Sequence, residues 1–189
     1  MKENVNILIF ILFILAAASL FAAEISPEYE FIQDDSSYSF RSRIAVKATP
    51  ECLLNLIYDF TRIPEYSVGV KSLEMVNEGE NWYDVSFIYQ NLLLLKNYSL
   101  WRRTMQREKN RIFFEMLDNS NNLSFIPELL ASHGYYQILP EEDGCIVEIY
   151  QQCILQSCLI DGVYIHKAEE EAKKFMEVFR EFLIRNCEN

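Results

Sequence analysis

The sequence lacks the motifs on which most enzyme chemistry depends. It has no G-x-S-x-G, no H-E-x-x-H and no glycine-rich phosphate loop, and it has only two histidines, His133 and His166. His133 follows a long predicted loop and is a candidate general base, but we interpret it as a solvated or loop-bracing side chain. The sequence therefore assigns no catalytic residue, and it favours a binding protein over an enzyme.

The five cysteines do not follow the spacing of a metal site. They form neither a C-x-x-C pair nor a Cys/His pattern suited to zinc, so we predict no metal and no cofactor. Cys153 and Cys158 would bridge only across a turn, because five strand steps place them roughly 16 Å apart. We interpret most of the cysteines as small buried apolar residues, with at least one thiol free or paired between molecules. They are Cys52, Cys145, Cys153, Cys158 and Cys187.

Positive charge is also scarce. The chain has 17 basic and 28 acidic residues, a formal net charge of −11. The densest basic cluster is only Trp101-Arg102-Arg103. A surface of this sign repels nucleic-acid phosphates and anionic bilayers on average. We therefore predict no nucleic-acid partner.

The N-terminal segment differs from the rest of the chain. An apolar run from Ile7 to Leu15 is followed by small residues at positions 16–19. This pattern is typical of a secretory signal peptide, and we expect its removal near Ala23. The protein is then exported, either periplasmic or secreted. The alternative is an uncleaved segment that anchors the domain in a membrane.

Residues 38–187 have the length of one ordinary domain, and residues 24–37 lead into it. Alternation of apolar and polar residues over 38–47 predicts a strand with one solvent-exposed face. Thr49-Pro50-Glu51 begins a short helix, and a further helical turn is expected near Pro64. A long amphipathic helix is predicted from about Tyr164 to Asn186. Between these helices we predict six strands, with a possible flap at 118–133; the strands are 70–77, 81–90, 97–107, 110–117, 134–140 and 145–155.

This order of elements resembles the START-like helix-grip superfamily (SRPBCC-type). The superfamily includes polyketide cyclase/dehydrase-type proteins, START lipid-transfer domains and plant pollen-allergen relatives. The local carriers of the resemblance are Ala48-Thr49-Pro50-Glu51, Tyr58-Asp59-Phe60 through Tyr66, and the stretch from Gly134 to Tyr150. The resemblance implies an α+β fold in which a curved antiparallel sheet of about seven strands surrounds the C-terminal helix. Two short helices would follow the first strand, and an apolar cavity would separate the sheet from the C-terminal helix.

Small residues on the last helix give a separate reason to expect that cavity. Ala168 and Ala172 lie one turn apart on the apolar stripe, whereas Phe175 and the phenylalanines after it fill the second half. We therefore expect space near the alanines, unless an aromatic side chain fills it. Alternation on the strands predicts the other candidate ligand contacts, each of which could equally be core; they are Tyr83, Val85, Phe87, Phe114, Met116 and Ile149.

The register of strand 97–107 decides which arginine faces the cavity. One register turns Arg102 inward with Tyr98 and Leu100, and Arg102 would then bind an anionic head group. The other register turns Trp101, Arg103 and Met105 inward.

The prediction for function is an exported protein that holds or carries an apolar, lipid-like molecule. The alternative from the same family resemblance is a polyketide cyclase/dehydratase-like enzyme, for which no catalytic set can be matched. A third possibility is a ligand-free interaction module, because Leu92, Leu93, Leu94 and Leu95 form an apolar run that could touch a partner or, transiently, a membrane.

Overall fold

One curved sheet is the frame of the molecule. The structure, a computed structural model, describes residues 28–67, 69–90, 96–120, 128–156 and 161–188. In these residues eight antiparallel strands form a single sheet in the order β1-β2-β8-β7-β6-β5-β4-β3. The elements in chain order are β1 (Glu28–Asp34), β2 (Ser37–Val46), α1 (Pro50–Tyr58), the 3-10 helix η1 (Phe60–Glu65), β3 (Val70–Glu78), β4 (Trp82–Gln90), β5 (Lys96–Gln106), the 3-10 helix η2 (Arg107–Lys109), β6 (Arg111–Ser120), β7 (Leu129–Glu141), β8 (Gly144–Leu155) and α2 (Asp161–Cys187). The predicted α+β class is confirmed.

The local elements follow from the sequence signals. In β2 the side chains of Phe40, Ser42, Ile44 and Val46 are buried and those between them are exposed, as the alternation predicts. Helix α1 begins where predicted, because the Thr49 hydroxyl accepts a hydrogen bond from the Cys52 amide at 3.3 Å. Its apolar side chains then face the core.

The sheet has one strand more than the sequence predicts. Strand β1 lies in the segment expected to lead into the domain, and it pairs with β2 through a tight turn at Asp35 and Ser36. The sequence pattern of β1 is weak because β1 is an edge strand. Only Tyr29 and Phe31 are partly buried in alternation, and the end of the strand is exposed. The two short helices consequently follow the second strand.

The predicted flap at 118–133 is longer than the connection between the two strands in the structure. Strand β6 continues to Ser120 and β7 begins at Leu129, so strand pairing takes up both ends of that segment. Residues 121–127 lie outside the described residues, as do the N-terminal segment 1–27, the leucine run 91–95 and Cys158. Within the described part of the chain, no helix is both long and apolar enough to cross a membrane.

Helix α2 packs tightly along its second half. Phe179, Phe182 and Leu183 are almost completely buried and belong to the same core as Ile44 of β2 and Leu53 of α1. Tyr66 follows η1, and the centroid of its ring lies 5.0 Å from the ring centroid of Phe179 and 4.9 Å from that of Phe182. This end of the helix is therefore fixed by dense aromatic packing.

A disulfide ties the same end of α2 to α1. Cys52 in the first turn of α1 is bonded to Cys187, and 135 residues separate them in sequence. Cys145 and Cys153 are free and buried, as expected for small core residues. The same interpretation is wrong for Cys52 and Cys187, which form the disulfide. Spacing does not reveal this bond because the two cysteines are brought together by tertiary structure across 135 residues.

Removing the disulfide is expected to lower the stability strongly. The chain-entropy relation gives a loss of about 5 kcal/mol in the free energy of unfolding for a loop of this length. Urea denaturation measures this loss when the Cys52→Ser/Cys187→Ser double variant is compared with the wild type, with and without reductant.

Cys145→Ser is the matched control. Cys145 donates to the Ala48 carbonyl at 3.1 Å, and a serine hydroxyl makes the same bond while leaving the disulfide intact. A loss below about 1 kcal/mol in the double variant would show that the bond does not hold the two helices together.

Candidate functional site

The first half of α2 does not fill the space above the sheet. Two cavities lie there. The first, of about 200 Å³, is called the aromatic cavity because most of its wall is aromatic, and Arg103 and Gln151 also line it. The second, of about 400 Å³, is called the alanine cavity because Ala168 and Ala172 form its helical wall, opposite Tyr38 and Phe40 of β2. The aromatic side chains of the first cavity are Tyr66, Phe87, Trp101, Phe114, Tyr136 and Phe175.

The two cavities meet at one pair of side chains. Phe175 and Gln151 line both. Phe175 stacks on Phe179 with ring centroids 5.3 Å apart, and the Gln151 amide donates to the Ser132 hydroxyl at 3.0 Å. These two side chains are therefore part of the boundary that the cavities share.

Six of the ten predicted contact residues line a cavity. Phe87, Phe114, Ile149 and Phe175 line the aromatic cavity, and Ala168 and Ala172 line the alanine cavity. Tyr83, Val85 and Met116 are not among the described residues that line either one. Val85 is buried core, and Met116 is only partly buried. The Tyr83 hydroxyl donates to the Tyr58 carbonyl at 2.7 Å, so its role is to hold the end of α1.

The predicted inward position of Arg102 is wrong. Arg102 lies on the outer face, where its Nε and Nη2 donate to the two carboxylate oxygens of Asp84 at 2.8 and 3.0 Å. Its guanidinium also stacks 4.2 Å from the centre of the Trp82 ring. Residues directly opposite on paired strands share a face. Since Asp84 pairs with Arg102 and Tyr83 pairs with Arg103, the inward position of Tyr83 sends Arg103 inward instead.

The structure thus has the alternative register, with Arg103 buried. Its Nη2 donates to the Ile57 carbonyl at 2.9 Å, and its Nη1 donates to the Tyr66 hydroxyl at 3.2 Å. The guanidinium lies 5.5 Å from the centre of the Tyr136 ring. A signal for this register is present in the sequence, because Asp84, next to the inward Tyr83 on β4, gives Arg102 a carboxylate partner on the opposite face.

The buried polar groups beside the alanine cavity are neutral, whereas the charged side chains that line it, Lys167 and Glu171, are exposed. The Cys153 sulfur lies 3.2 Å from the Ser132 hydroxyl and 3.6 Å from the Gln151 amide nitrogen. Burial raises the pKa of the Cys153 thiol above its ordinary value, and burial likewise raises the pKa of Tyr38. A thiol in this environment is a poor nucleophile. These groups suit hydrogen bonding rather than nucleophilic or acid–base chemistry.

Neither histidine contributes to the cavities. His133 lies in β7 with an exposed side chain, and His166 is exposed on α2 beside Glu170. Both are absent from the described lining of the two cavities. The candidate general base is therefore not part of the described lining of either cavity.

Solved structures share this architecture. No family model and no curated protein matches the sequence. A START superfamily protein from Mycobacterium smegmatis is 9% identical, with a TM-score of 0.60 over 77% of this chain and 96% of that chain. A STAR-related lipid transfer protein from Xanthomonas axonopodis is 11% identical, with a TM-score of 0.60 over 82% and 98% of the two chains.

A third similar structure is the Zhui aromatase/cyclase from a Streptomyces species. It is 11% identical, with a TM-score of 0.61 over 78% of this chain and 91% of that chain. Likeness at such low identity concerns the fold alone, since one fold serves many functions. The chain has the START-like helix-grip fold.

Proposed function

We propose that this protein is an exported carrier of an apolar, lipid-like small molecule, held between the sheet and α2. The observation that carries the proposal is the pair of adjoining cavities under the first half of α2. Protein interiors are ordinarily close-packed, and voids larger than a water molecule are few. Both spaces open partly to solvent, and their walls are mainly aromatic and small side chains. The alanine cavity, at about 400 Å³, is of the size that small-molecule sites have, and the aromatic cavity, at about 200 Å³, would extend it.

The chemistry of the walls favours an apolar ligand. Aromatic rings from β4, β5, β6, β7 and α2 surround the aromatic cavity. Entry of an apolar molecule between such walls lowers the free energy, because apolar surface of both the ligand and the cavity is removed from water. One of the similar structures is a STAR-related lipid transfer protein and another is an aromatase/cyclase, in agreement with a fold suited to such ligands.

A carrier fits the walls better than a cyclase does. An enzyme that folds and dehydrates a poly-keto chain has to move protons. No histidine or carboxylate is among the described residues that line the aromatic cavity. Arg103 there remains protonated at any ordinary pH, and it therefore cannot act as a general base.

Two observations support export. The N-terminal sequence has the pattern of a signal peptide. The disulfide between Cys52 and Cys187 is a bond that persists in oxidising compartments and is rare in reducing ones. In an aqueous compartment outside the cytoplasm, an apolar molecule needs shielding from water, which a cavity of this type provides.

Filling the alanine cavity is expected to block ligand uptake. Ala172→Trp adds an indole ring at the helical wall of that cavity. We expect binding of the neutral fluorophore N-phenyl-1-naphthylamine to weaken by at least about tenfold, equivalent to about 1.4 kcal/mol. Fluorescence titration measures the affinity, and circular dichroism checks that the fold is intact.

Glu177→Trp is the matched control, because it adds the same ring to the same helix at an exposed position. It should bind the fluorophore as the wild type does. Equal affinity in all three proteins would place the site elsewhere, and no binding by the wild type would contradict the carrier function.

The export proposal predicts the N-terminus of the mature protein. If a signal peptidase removes the apolar segment, the chain isolated from its own host should start between about Ala22 and Ile25. Intact-mass measurement combined with N-terminal sequencing decides this. A mass that retains Met1 would contradict cleavage, and would favour a domain held at a membrane by its N-terminal segment.

A further inference from the structure

Arg103 is a buried charge whose described contacts are all neutral. Only 5% of the residue is exposed. Its hydrogen-bond partners are a tyrosine hydroxyl and a backbone carbonyl, and its Nε has no partner among the described residues. The contrast with its neighbour is direct, since the more exposed Arg102 binds both oxygens of a carboxylate. Among the described residues, the more buried of the two cations therefore has no anionic partner.

This arrangement is energetically unfavourable without a further partner. A guanidinium remains charged when it is buried, and removing a charge from water costs several kcal/mol even after the protein relaxes. The Ile57 carbonyl offsets part of this cost, because it lies in the last turn of α1, where the helix dipole is negative. It carries no full charge, however, and one donor of the fork remains unsatisfied.

The aromatic cavity gives this cation access to a ligand. Arg103 lines the cavity together with Phe87, Trp101 and Phe114. The other charged side chains along the two cavities, Lys167 and Glu171, are exposed, carry opposite signs and belong to the alanine cavity. Among the described lining residues, Arg103 is thus the one buried charge. An anion drawn to either cavity would be fixed at Arg103.

We propose that the ligand is an amphiphile with a carboxylate head, which binds Arg103 in the aromatic cavity while its apolar tail passes Phe175 and Gln151 into the alanine cavity. A carboxylate matches the planar fork of a guanidinium and can accept two parallel hydrogen bonds. About 200 Å³ beside Arg103 holds a head group and a short length of chain, so a longer tail requires the second cavity. The inference rests on the proposed carrier function and adds the class and orientation of the ligand.

A pair of probes that differ only in charge tests the head group. The probes are cis-parinaric acid and its methyl ester, whose fluorescence rises in apolar surroundings. At pH 8 we expect the wild type to bind the acid at least about tenfold more tightly than the ester. Arg103→Gln should bind the two with similar affinity, because it removes the charge and keeps a polar side chain at this position.

Arg102→Gln is the matched control. It makes the same substitution one position away, on the outer face, and should keep the preference for the acid. Equal affinity of the wild type for both probes, or a preference that survives in Arg103→Gln, would overturn the carboxylate anchor while leaving the carrier function in place. No binding of either probe by the wild type would overturn both.

The pH dependence of the wild type gives a readout that does not depend on a folded variant. The acid is charged at pH 8 and protonated well below pH 4, whereas the ester and Arg103 do not change charge over this range. Preference for the acid should therefore disappear as the pH falls, with the affinity for the ester unchanged. A preference that persists below about pH 4 would contradict an ionic anchor.

Discussion

The unequal packing of α2 is the constraint on which the rest of the molecule depends. A sheet that curves around a helix encloses more volume than a backbone alone can fill. In the second half of α2, Phe179, Phe182 and Leu183 fill that volume, and the disulfide to Cys52 secures the end of the helix. In the first half, Ala168 and Ala172 leave it open. The firmly packed half holds the helix in place, and the open half can therefore remain a cavity without loss of the fold.

The position of α1 follows from the same interior. Its last turn has no basic residue of its own, and side chains of the sheet provide the partners for its final carbonyls. Arg103 donates to the Ile57 carbonyl, and the Tyr83 hydroxyl donates to the Tyr58 carbonyl. These contacts connect the wall of the aromatic cavity to the helix that the disulfide also holds. The guanidinium that supports the end of α1 thus also lines the aromatic cavity.

Hydrophobic periodicity predicted the elements that have one clear apolar face. It failed for β5, where the two possible strand registers were equally apolar. Strand β2, helix α1 and helix α2 are where the alternation, the N-cap and the apolar stripe place them. The choice between Arg102 and Arg103 depended on the pairing of β5 with β4, and a shift of one residue exchanges the two faces. The bond between Cys52 and Cys187 depended on tertiary proximity across 135 residues. The alanines, in contrast, marked a cavity because missing side-chain volume is visible in the sequence.

The most direct test of this account is the mass of the intact native protein isolated from its own host. Native mass spectrometry should give a mass above that of the polypeptide. Organic extraction should remove the difference and release an apolar molecule with an acidic head. A native mass equal to that of the polypeptide alone, in protein that has met neither detergent nor solvent, would contradict the claim that the space beneath α2 exists to hold a ligand.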